Sequence, residues 1–197
     1  MDLIQGMIED LKRENEYFFE ACKKESDRGL ALVAAEFFDA TLERLLRARF
    51  SPGLKNQPKL IKPLFEGFGP LSTFSSKISV SYAIDLLQHW MASDLDLIRR
   101  IRNDFAHSLE SKTFRDPNIS RMVGQLASFA KAIKSVEKTN ETRASKQPRQ
   151  DIFEDTSRNK FVVACTRTGA LLQAKVVVLE SDGPDDMKRS FMIDPKL

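Results

Sequence analysis

Apolar residues recur at intervals of three and four along most of this chain, and no other feature limits its fold as strongly. Leu3, Ile4, Met7, Ile8, Leu11, Phe18, Phe19 and Cys22 keep that spacing and predict a first amphipathic helix ending near Lys24. Ser26 and Asp27 offer an N-cap and an acidic first turn for a second helix, which runs to about Phe50. Its stripe (Leu30, Val33, Ala34, Phe37, Phe38, Leu42, Leu45, Leu46) is wide, so this helix is expected at the centre, contacted on several sides. Ser51-Pro52-Gly53 ends it.

Leu54 to Leu71 is broken up by Pro58, Pro63, Gly67, Gly69 and Pro70 and reads as an ordered loop with at most a short turn near Leu64-Phe65. A third helix is predicted from Ser72 to about Met91. Ser93 or Asp94 caps a fourth, and Asp116-Pro117 opens a fifth that reaches about Val136. FVVAC and KVVVLE have the β-branched content of strands, yet Phe161, Ala164, Cys165, Thr168, Leu171, Leu172, Lys175, Val176 and Leu179 recur at helical intervals, which favours a helix. The expectation is an all-α fold: one bundle of about five to six helices, with a long Pro/Gly-containing loop between helices two and three. Residues 1–136 form the bundle, 137–150 a basic linker, 151–181 a C-terminal helix packing on the bundle, and 182–197 a loose tail.

Composition narrows the function classes. Fourteen Phe against 2 Tyr and 1 Trp place most aromatic rings in a packed interior. A net charge of +3 from 31 basic and 28 acidic residues is too balanced for a nucleic-acid binder by bulk electrostatics. The basic stretch from Lys131 to Arg149 reads as a solvated linker before it reads as a phosphate-binding arm. Cys22 and Cys165 form no CxxC pair and no Cys/His cluster, so neither zinc nor a disulfide scaffold is expected, and no cofactor or metal. The N-terminus lacks the unbroken apolar core of a signal peptide, and no apolar run approaches the roughly 20 residues of a membrane span. A cytoplasmic protein without a membrane follows as the expectation.

The stretch DLDLIRRIRNDFAH, Asp94 to His107, is the most informative. On a helix Asp94, Ile98, Ile101 and Phe105 share the buried face, continued by Leu109. Arg102 falls at the edge of that face, where it needs a carboxylate or carbonyl partner; Glu36, Asp39 and Glu43 on the second helix are candidates. His107 reads as a solvated or capping imidazole. Arg102-Asn103-Asp104-Phe105-Ala106-His107 also fits R-N-x-x-x-H and resembles the signature of HEPN-superfamily helical domains. That resemblance implies RNA chemistry by Arg102, Asn103 and His107. In one continuous helix, however, Arg102 and His107 stand about 140° apart, so they converge only across a helix break or a second subunit. Gly67-Phe68-Gly69-Pro70 reads as a tight turn before a phosphate cradle, and Lys77 as a solvated charge before an anion contact. Glu25, Asp27 and Arg28 read as capping and neutralising the second helix's start.

Three blocks in order, ESDRGLALVAAEFFDATLERLLRARF, LFEGFGPLSTFSSKISVSYAIDLL and DLIRRIRNDFAHS, resemble the mannitol operon repressor family over about Glu25 to Val136. The resemblance implies an all-helical bundle, a bacterial cytoplasmic protein, and repression through a partner protein. No helix-turn-helix pair with an exposed recognition helix, zinc finger or basic zipper is apparent in the chain, so direct DNA binding is not expected. The expected function is thus a noncatalytic regulator that binds a protein. An HEPN-like RNA-binding or metal-independent RNA-cleaving module is the alternative, and a bundle that homodimerises is a third reading.

Overall fold

The structure is a computed structural model. It describes residues 24–50, 57–108, 111–142 and 156–180, with Leu54 and residues 9, 13, 16–18 and 20–22; of 135–142 it describes the backbone alone. Ser26 starts helix α1 (Asp27–Arg49), its hydroxyl accepting the Gly29 N–H at 3.0 Å. The helix stops where Phe50 turns extended and gives its N–H to Arg47. Upstream, residues 16–18 and 20–22 are helical and bury Phe18 and Cys22 against α1 and its neighbours. Leu3, Ile4, Met7, Ile8, Leu11 and Phe19 lie outside the described residues, as do Ser51-Pro52-Gly53, Leu109 and the expected tail 182–197.

Six further helices follow: α2 Pro58–Phe65, α3 Phe74–Ala83, α4 His89–His107, α5 Pro117–Gly124, α6 Ala127–Thr142 and α7 Ser157–Glu180. The fold is all-α, and the described residues contain no strand, which settles Ser157–Glu180 as a helix. The helices outnumber the expected five to six for two reasons. The segment read as a loop contains α2, which Pro58 opens and whose Ile61 and Phe65, four apart, both bury. The predicted fifth helix is divided at Gln125-Leu126 into α5 and α6.

Three other boundaries differ from expectation. The third helix ends at Ala83, not Met91: Asp85 takes a left-handed backbone (φ 59°), and Leu86 and Leu87 turn inward to bury together. An Asp tolerates that conformation better than most residues. The fourth helix then begins at His89, so Ser93 and Asp94 lie inside it and cap nothing there. At the far end, α6 continues to Thr142, through 137–142 of the expected linker. Glu, Lys and Thr in that stretch carry no stop signal, and the next Pro is Pro148.

The helices α1, α4 and α7 form the interior. α1 packs on α3, α4 and α7, and α7 packs on α1, α5 and α6. Asp94, Ile98, Ile101 and Phe105 are all buried, as their helical register requires. Most described Phe rings are core: Phe105, Phe114 and Phe161 contact one another in series as tilted rings, with centroids 5.2 and 4.9 Å apart, and Phe18, Phe37 and Phe38 form a second cluster. Phe68 is the exception and stands wholly in solvent. By length and composition α7 is apolar enough to cross a membrane, contrary to the expectation drawn from runs of apolar residues; more than half of its most apolar stretch is buried in the bundle.

Candidate functional site

Three helices meet around one polar cleft of about 300 Å³. α1 supplies Ala35, Glu36 and Asp39, the start of α3 supplies Thr73, Phe74 and Ser75, and α4 supplies Arg99, Arg102 and Asn103. Spacings of three and four put the α1 and α4 sets each on one helical face, while Thr73, Phe74 and Ser75 are the consecutive residues that open α3. The three sequence blocks singled out above therefore each contribute a wall. Thr73 and Ser76 form a capping box that fixes the start of α3: Thr73 Oγ1 accepts the Ser76 N–H at 3.1 Å, and Ser76 Oγ accepts the Thr73 N–H at 3.3 Å. That Thr-x-x-Ser spacing was the available signal for this wall, and the sequence reading passed over it.

Lys77 lies beneath the cleft and is 3% exposed, not solvated. Its ammonium sits 2.9 Å from Asp39 Oδ2 and 3.1 Å from Glu43 Oε2, while Arg47 donates to Glu43 Oε1 at 2.8 and 3.0 Å. The position was legible: Phe74, Lys77, Ile78 and Ser81 mark the inward stripe of α3. Lys77 thus takes two of the three carboxylates that were candidate partners for Arg102. Burial pushes the Glu43 carboxyl up, but hydrogen bonds from Arg47 and Lys77 outweigh it and hold the group below its usual range.

Arg102 is half-buried and donates to the neighbouring Asn103 Oδ1 at 3.2 Å, and both side chains face the cleft. His107 is exposed at the last residue of α4 and does not line the cleft. The helix between them is unbroken, so within one chain Arg102 and His107 diverge. Arg99 is held by Asp96, with contacts of 2.7 and 3.0 Å.

The remaining predicted residues brace the far end of α4. Asp104 accepts from Lys112 at 2.5 Å and from Asn118 at 3.0 Å; the Lys112 contact is the main reason its carboxyl lies below the usual range. Arg28 donates to the Ala106 carbonyl at 3.2 Å. Asp27 does more than its expected service at the start of α1: it accepts the Phe114 N–H at 2.9 Å and pairs with Arg158, which also donates to the carbonyls of Cys22 and Glu25.

One organising role escaped the sequence reading, which had Asp94 on the buried face and as a candidate cap of its own helix. Asp94 is 1% exposed and caps α6 from another helix. Its two oxygens accept the N–H groups of Ala127 and Ser128, each at 2.8 Å, and Ser128 Oγ bonds both Asp94 and Thr168 of α7. Two other concavities lie outside the cleft. An apolar groove of about 550 Å³ runs between Tyr17, Phe18 and Ala21 on one side and α1 and α7 on the other, with Val33, Phe37 and Val176 in its walls. A polar hollow beside α5 contains Arg100, Asp104, Asn118 and Arg121. Among the described residues no group of three or more His, Cys, Asp or Glu could hold a metal ion.

Comparison with known proteins agrees with this architecture. A crystal structure of a possible transcriptional regulator, YggD from Shigella flexneri, matches 80% of this chain and 98% of that chain at 14% identity, with a TM-score of 0.63. The MtlR–HPr complex from Escherichia coli contains a chain that matches at 18% identity over 83% of this chain and 98% of that one, with a TM-score of 0.58. No curated protein matches this chain at significant similarity. The mannitol repressor family model matches residues 14–173, which includes every wall of the cleft and the whole of the α1–α4–α7 interior except the end of α7. The chain belongs to the mannitol repressor family.

Proposed function

We propose that this chain is a noncatalytic bacterial regulator that acts on transcription by binding a protein partner in the cytoplasm. The observation that carries the reading is the fold shared with a protein solved as a complex with HPr, over 98% of that chain. The surface supports it. Phe68 projects fully exposed from the turn between α2 and α3, where its ring is available to seat in a partner's pocket. The RNA-cleaving alternative would need a second copy to bring a His107 to Arg102, because one copy separates them along an unbroken helix.

Affinity capture on the full chain tests the reading. A discrete protein that survives a salt wash and is lost with Phe68→Ser supports it. Recovery of nucleic acid alone, released by salt, overturns it. In parallel, mixed RNA is incubated with the wild type and with an Arg102→Ala, His107→Ala double variant of verified melting temperature. No difference in cleavage is expected; metal-independent cleavage that the variant lacks would replace the regulator reading with the nuclease one.

A further inference from the structure

We infer that the cleft between α1, α3 and α4 binds a small neutral polyhydroxy compound, an acyclic polyol or a sugar. The inference goes beyond the partner reading and does not rest on it. The first argument is charge. Arg99 is neutralised by Asp96, and Asp39 by Lys77, which leaves Glu36 and Arg102 as opposite charges on facing walls. An anion drawn to Arg102 meets the Glu36 carboxylate, and a cation drawn to Glu36 meets the Arg102 guanidinium. Either is opposed at short range, whereas a neutral ligand is not.

The second argument is hydrogen-bonding capacity. Carboxylates only accept, guanidinium groups only donate, and the Asn103 amide and Ser75 hydroxyl do both. A row of vicinal hydroxyls is the small-molecule pattern that donates and accepts at every carbon. Asp39 carries a specific vacancy for a donor: Oδ2 is held by Lys77, while Oδ1 is buried and receives no hydrogen bond from the described residues. A buried acceptor left without a donor costs on the order of 1–3 kcal/mol, which a ligand hydroxyl recovers on binding. Phe74, half-buried at the cleft's edge, presents an apolar surface suited to the C–H face of such a ligand. At about 300 Å³ the space lies at the small end of ligand sites.

The test is calorimetric titration of the full chain with D-mannitol, D-sorbitol, D-glucose and inorganic phosphate, repeated on Glu36→Gln, Asn103→Ala and, as a control outside the cleft, Arg121→Ala. Glu36 is exposed, so its variant leaves the core intact. Saturable binding of at least one neutral probe is expected, weakened roughly tenfold or more by Glu36→Gln and Asn103→Ala and unchanged by Arg121→Ala, as follows from losing one hydrogen bond to a ligand. Preference for the two hexitols over glucose assigns the acyclic class, and the reverse assigns the ring. The inference is overturned by phosphate binding more tightly than every neutral probe, by no saturable binding of any of them, or by binding that neither cleft variant alters.

Discussion

Asp94→Ala removes the junction at which α4 holds the start of α6 and, through Ser128, reaches α7. The carboxylate accepts two backbone N–H groups at 2.8 Å and the Ser128 hydroxyl, at a site 1% exposed. Without it, the Ala127 and Ser128 N–H groups lose their acceptor in the interior, at about 1–3 kcal/mol each. Relief of a desolvated carboxylate offsets part of that cost, so the net loss is about 2–4 kcal/mol. At roughly 2–4 °C per kcal/mol for a domain of this size, the melting midpoint should fall by about 5–15 °C in a calorimetric or circular-dichroism melt. Asp94→Asn keeps one carbonyl acceptor and should lose less. Burial, stronger than the opposing hydrogen bonds from Ser128 and Ala127, raises the Asp94 pKa above its ordinary 3.8. A folded-state pKa that is raised makes the native state bind the proton more tightly than the unfolded chain. The stability this group contributes is therefore full below 3.8 and declines as pH climbs through the raised value. The wild type's margin over Asp94→Asn should accordingly narrow as pH rises across that window. A midpoint for Asp94→Ala within 2 °C of the wild type would refute the capping role.

Other perturbations probe separate features. Lys77→Met leaves Asp39 and Glu43 facing each other without their shared cation and should cost about 2–4 kcal/mol in chemical denaturation; adding Asp39→Asn should restore part of it, and an additive double variant would show that the pair is not coupled. Gly69→Ala puts a Cβ 2.2 Å from the Pro63 carbonyl oxygen and 2.5 Å from that of Leu64, so α2 must move; a loss of about 1–3 kcal/mol is expected by urea melt. Lys175 is 7% exposed in α7, and desolvation lowers its pKa. Its cost is present at neutral pH and is relieved as pH rises from the lowered value toward 10.5, so Lys175→Met should raise the melting midpoint at pH 7 and show a smaller advantage above pH 10.

Much of this fold is written in short-range signals. Ser26 before the α1 stripe, Pro117 after Asp116, and the register of Asp94, Ile98, Ile101 and Phe105 each act through residues within one or two helical turns, and the structure places them as that chemistry requires. Even α2 and Lys77 had local marks, Pro58 at a helix start and a lysine on an inward stripe, that pointed to burial. The boundaries that were misplaced depend on distant partners. The chain leaves its helix at Ala83 because Leu86 and Leu87 gain more from burial in the bundle than Ile84–Gln88 lose as helix.

Charge pairing was beyond the sequence for a related reason. Glu36, Asp39 and Glu43 were available to either Lys77 or Arg102, and spacing on one helix does not say which cation from another helix arrives. The all-helical class and the family-bearing blocks were determined by the sequence alone, through periodicity and caps that act over a few residues. The tertiary structure decided that those blocks close around one cleft, that Asp94 serves α6, and that His107 stands apart from Arg102. Desolvated charges take their partners only after the apolar stripes have set how the helices cross, and that geometry belongs to no single segment.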